Sequence, residues 1–69
     1  MPMNTDVLLF DAEVQVRFGP VCHRFPRTAL GVMRAVEYVM TFGKPITFWS
    51  DARQLAGISA FLAEAEVFS

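Results

Sequence analysis

The chain has 69 residues, of which 54% are apolar and 19% charged, and its formal net charge is −1. Such a composition excludes a disordered segment and fits one small domain, 1–69, with no general pull toward nucleic acid or anionic membrane. A single cysteine rules out an internal disulfide and a cysteine-based zinc site, and no apolar run approaches the roughly 18 residues of a membrane span.

Met1 to Asp6 reads as a lead-in without the basic region and long apolar run of a secretory signal, so a cytoplasmic location is expected. Five arginines against one lysine point to a GC-rich bacterial genome. Val7-Leu8-Leu9-Phe10 is a short apolar run, either a first strand or the start of a longer, bulged one. From Glu13 the pattern sharpens. Val14, Val16 and Phe18 alternate with Glu13, Gln15 and Arg17, the period of a half-buried strand. Gly19-Pro20 breaks the alternation, which resumes in Val21-Cys22-His23-Arg24-Phe25. Glycine at the first central position suits a type II′ hairpin turn. That register sets Phe18 opposite Val21, Val16 opposite His23 and Val14 opposite Phe25. Pro26 then ends the second strand.

A helix is expected from Thr28 to Phe42, with Thr28 as N-cap, Gly43 as C′ residue and Pro45 as stop signal. Ala29, Val32, Met33, Val36, Val39 and Met40 share one face, which the spacing assigns to the core. Gly31, Arg34, Tyr38 and Thr41 lie opposite, while Leu30, Ala35 and Phe42 widen the apolar arc. Ile46-Thr47-Phe48-Trp49 is a short strand candidate. Ser50-Asp51 reads as a cap for a second helix, Ala52 to about Val67, with Leu55, Ile58, Phe61, Leu62 and Ala65 inward. Gly57 within it either permits close helix approach or splits the segment in two. The expected fold is α+β: a small antiparallel sheet, made of a β-hairpin and a short third strand, with two helices on one face, in the order ββαβα.

Chemistry-bearing groups are sparse. Cys22 and His23 are adjacent on a strand and point to opposite faces, which keeps a thiolate and an imidazole apart. His23 falls among Val16, Val21 and Phe25 near the sheet margin, where a backbone group satisfying one ring nitrogen is the plain reading and a pH-sensitive contact the functional one. No other histidine or cysteine exists to complete a metal site. Glu64 and Glu66 do not share a helix face and read as solvated charges. The dispersed glycines form no phosphate-cradling loop. No catalytic residue, cofactor, metal or small-molecule substrate is therefore assigned. Arg17, Arg24, Arg27 and Arg34 are the only charges between Val14 and Val36, a group able to touch an acidic partner or a few phosphates.

Phe10, Val14, Val16 and Gly19 match an "F..PV.V..G" hairpin motif, and Ala60-Phe61, Ala63, Ala65 and Val67 match an "AF..AA..A.I" helix. In these motifs the chain resembles a family of short uncharacterised proteins common in rhizobia and their relatives. It departs from that family at Lys44-Pro45, where a Trp-Pro pair is usual, and its C-terminal region is shorter. The resemblance implies no activity.

The residues favour a small non-enzymatic interaction or regulatory module that self-associates through exposed apolar surface. Phe42, Phe48, Trp49 and Phe68 are the expected interface, helped by an open edge at the short strand 46–49. A homodimer or another protein is the expected partner. The alternative is a nucleic-acid-associated accessory protein using the four arginines.

Overall fold

Residues Thr5–Leu9 (β1) occupy the middle of a five-stranded sheet. The computed structural model describes residues 4–41, 45–51 and 53–66. In it β1 is followed by β2 (Glu13–Phe18), β3 (Val21–Pro26), α1 (Ala29–Met40), β4 (Ile46–Ser50), β5 (Arg53–Gln54) and α2 (Ile58–Glu66). The strand order is β3-β2-β1-β4-β5. β1 is antiparallel to β2 but parallel to β4, so the sheet is mixed rather than purely antiparallel. A parallel pair needs a crossover connection, and α1 supplies it, carrying the chain from β3 over β2 and β1 to β4.

Alternation decides which face is buried. Val7 and Leu9 of β1, Val14 and Val16 of β2 and Phe48 of β4 form one cluster with Val32, Ala35 and Val39 of α1 and Phe61 and Ala65 of α2. Both helices therefore cover the same face, as an α+β two-layer fold requires. The opposite face carries Asp6, Leu8, Gln15, Arg17, Arg24, Thr47 and Trp49. One register row, Arg24–Gln15–Leu8–Trp49–Gln54, crosses the whole sheet.

The β2–β3 hairpin has the register that its sequence predicts, Phe18 opposite Val21 around Gly19-Pro20. Gly19 has φ 58°, while the Pro20 ring holds its own φ negative, so only the II′ form is available. The β1–β2 connection is equally tight: the Phe10 N–H donates to the Glu13 carbonyl at 2.9 Å, leaving Asp11-Ala12 as the turn.

α1 is capped as expected, with the Thr28 hydroxyl accepting from the Gly31 N–H at 3.0 Å. Its buried face is not the expected one. Gly31, Val32, Ala35 and Val39 face the sheet, Tyr38 packs on the core, and Met33 and Met40 are more than half exposed. The helix is turned by about one residue step, ~100°, from the arc that the apolar residues suggest. Close approach explains it. Gly31 lies against the Pro26 carbonyl of β3, where no side chain fits, and this contact fixes the rotation. The expected C-terminal residues Phe42 and Gly43 lie outside the described residues.

The second correction concerns residues 50–57. Instead of opening a helix, Ser50 ends β4 and Asp51 takes a left-handed φ of 53°, turning the chain into β5. Aspartate tolerates that conformation better than most residues, which makes Ser50-Asp51 turn chemistry rather than a cap. Gly57 (φ 121°) does split the segment: its carbonyl accepts from the Phe61 N–H, so α2 begins after it. β4 thereby gains a neighbour on each side and is no edge strand.

Candidate interaction surfaces

The residues expected at an interface separate in three dimensions. Phe48 is only 6% exposed and packs on Phe61 with ring centroids 5.4 Å apart, so it belongs to the core and not to a surface. Trp49 does point away from it, as strand alternation requires. The indole is half-buried on the open sheet face, and its Nε1–H donates to Asp6 Oδ1 at 3.3 Å. Phe42 and Phe68 lie outside the described residues.

The four arginines do not make one patch. Arg17 and Arg24 lie on the open sheet face, where Arg17 donates to Gln15 Oε1 at 2.9 and 3.2 Å and Arg24 stands 3.5 Å from Glu13 Oε2. Arg34 is exposed on α1, in the layer on the other side of the sheet. Arg27 has a side chain only 5% exposed and donates to the Phe10 carbonyl at 2.7 Å, with Asp11 Oδ1 at 3.9 Å. Its backbone N–H also reaches the Ala12 carbonyl at 3.3 Å. Arg27 is thus a clamp on the β1–β2 turn. This role leaves little trace in the residue types, because the hydrogen bonds of Arg27 to Phe10 and Ala12 go to main-chain carbonyls.

Glu64 is likewise more than a solvated charge. It pairs with Arg53 and accepts from the Ser50 hydroxyl at 3.4 Å, tying α2 to the β4–β5 turn. An exposed member limits what such a pair adds to stability, to roughly 0–1 kcal/mol. Its effect is to orient α2.

Cys22 and His23 are separated by the sheet as expected. The Cys22 sulfur faces Gln15 Oε1 at 3.7 Å on the open face. The His23 ring lies on the helix side, edge-on to Tyr38 with centroids 4.6 Å apart. His23 is exposed, because β3 is the margin of the sheet. Among the described residues no three His, Cys, Asp or Glu side chains gather to hold a metal ion.

Apolar surface gathers on the helix layer and the hairpin. Leu30 (63% exposed), Met40 (57%) and Met33 (52%) project from α1, Ile58 begins α2, and Val21 (42%) stands at the start of β3. Met40, Pro45, Ile46, Phe48 and Ile58 line a cleft of about 490 Å³ at one end of the two helices. A smaller one of about 170 Å³ lies at the other end, between Ala29, Val32 and Met33 of α1 and Leu62, Ala65 and Glu66 of α2. Half of the apolar arc of α1 therefore lines clefts between the helices instead of the core. Neither cleft offers convergent polar groups of the kind that orient a small-molecule ligand.

No family model, curated protein or solved structure matches the chain. Among the described residues no helix is long and apolar enough to cross a membrane.

Proposed function

We propose that this chain is a small non-enzymatic interaction or regulatory module of the bacterial cytoplasm, and that it self-associates through exposed apolar surface. The observation that supports this reading is the set of large apolar side chains left outside the core: Val21, Leu30, Met33, Met40 and Ile58. A domain this small has little surface to spare, and large apolar side chains left exposed on it favour a contact surface. The free, exposed Cys22 suits a reducing compartment.

Sedimentation equilibrium tests it. Between about 10 µM and about 1 mM the weight-average mass is expected to rise from one chain toward two, the range of an interaction worth ~4–7 kcal/mol. A strictly monomeric chain over that range contradicts self-association and leaves the apolar surface to a different protein.

A further inference from the structure

We propose that two copies of this chain meet along β3, antiparallel and with His23 opposite His23 of the second copy, so that their sheets join into one. The inference rests on the self-association proposed above and narrows its contact to the β3 edge, with Val21 from the exposed apolar set and with Leu30, Met33, Met40 and Ile58 left outside it.

β3 is one edge of the sheet and is six residues long. Its hydrogen-bonding parity follows from two facts. Phe18 and Val21 flank a two-residue turn and form the bonded pair that closes it. The Arg27 N–H reaches the Ala12 carbonyl in the same register. Residues 21, 23, 25 and 27 therefore direct their main-chain groups at β2, and Cys22 and Arg24 direct theirs off the edge. Pro20 and Pro26 have the same outward parity and no N–H to offer, and the Pro26 carbonyl takes the Thr28 N–H at 2.9 Å. The open edge is thus two donor–acceptor pairs, bracketed by prolines.

The strand is its own complement. Pro20-Val21-Cys22-His23-Arg24-Phe25-Pro26 is symmetric in chemistry about His23. With the two-fold axis there, Cys22 exchanges both main-chain bonds with Arg24 of the second copy, and the reverse pair repeats them. Val21 comes to face Phe25 of the second copy on the helix side, covering its exposed surface. Each proline faces a proline, and no donor is left wanting. Moving the axis to Arg24 would set two guanidinium groups directly opposite, which is destabilising. Moving it to Cys22 would set Arg24 against Pro20 and leave Phe25 without an apolar counterpart. The far edge, β5, has only two residues, so the contact closes at a dimer and does not propagate.

Single-cysteine cross-linking under mild oxidation tests the register. Opposed residues at the axis have Cα atoms ~4.5 Å apart, inside the disulfide range of roughly 4.4–6.8 Å, whereas residues one place off the axis lie ~8 Å from their own copies. The double variant Cys22→Ser, His23→Cys is expected to cross-link at least tenfold faster than the natural protein or Cys22→Ser, Arg24→Cys. Equal rates, or a fastest reaction at position 22 or 24, overturn the register. Arg24→Pro supplies the second arm, since it removes an outward N–H and no main-chain bond to β2, at the cost only of the exposed ion pair with Glu13. It is expected to keep the far-UV spectrum of the natural protein and to weaken association at least tenfold, while Met33→Glu with Met40→Glu stays dimeric. The reverse pattern overturns the β3 contact and leaves self-association standing on the helix layer. A natural protein monomeric at every concentration removes both.

Discussion

Replacing Gly31 with alanine is expected to cost about 4 kcal/mol or more, enough to unfold a domain whose total stability is roughly 3–10 kcal/mol. The sign is opposite to the usual one, because alanine in a helix normally gains about 1 kcal/mol over glycine. Here a Cβ would overlap the Pro26 carbonyl oxygen and press on its Cγ at 3.0 Å. The nearest obstacle is main chain and the other is a rigid proline ring, so relief requires α1 to lift from β3. That separation would open the contacts of Tyr38 with His23 and Phe25. It would also disturb the Thr28 cap, whose acceptor serves the Gly31 N–H itself. Thermal melting followed by circular dichroism decides the matter: an equal or higher melting temperature for Gly31→Ala would show that α1 and β3 do not meet so closely.

Phe61→Ala is expected to be nearly as damaging, at about 3–5 kcal/mol. Among the described residues Phe61 is the largest fully buried side chain, and through it α2 reaches Phe48 of β4. α2 has nine residues, too few to be stable alone, and Glu64 and Glu66 sit at the end where acids oppose the helix dipole. Its attachment therefore depends on Phe61, with Ala65 and the Glu64–Arg53 pair in support. Leu62→Ala, at the wall of a cleft, provides the comparison and is expected to cost about 1–2 kcal/mol. Urea unfolding with similar slopes for the two variants would give the difference directly. A cost for Phe61→Ala no larger than that for Leu62→Ala would mean that α2 is not anchored there.

What the sequence made legible was local. Strand alternation around Gly19-Pro20 set the hairpin register and the opposite facing of Cys22 and His23, because turn type and period two act over a few residues. The α+β class followed from the same periodicities. The misreadings arose where distant contacts override local preference. The apolar arc of α1 pointed at Val36, yet the contact of Gly31 with Pro26 turned the helix and left Met33 and Met40 outside. Ser50-Asp51 has cap chemistry and turn chemistry alike, and only pairing with Arg53-Gln54 selects the turn. β4 looked like an edge because nothing in Ile46 to Trp49 announces a parallel neighbour 41 residues earlier in the chain, as Val7 is to Phe48. Arg27 was grouped with Arg17, Arg24 and Arg34 by charge alone, while its burial is set by the carbonyls of the first turn. Identifying β3 as the open edge likewise required the strand order, since its sequence alternates like any half-buried strand.

Amide hydrogen exchange resolved by residue, compared at about 10 µM and about 1 mM, tests the pairing of two copies along β3 most directly. His23 and Phe25 donate within the sheet and are expected to exchange slowly at both concentrations. Cys22 and Arg24 donate only across the proposed contact, so their exchange is expected to slow in step with the monomer fraction, about fourfold over that range for a Kd of about 100 µM. Rates for Cys22 and Arg24 that are fast and identical at the two concentrations would contradict it.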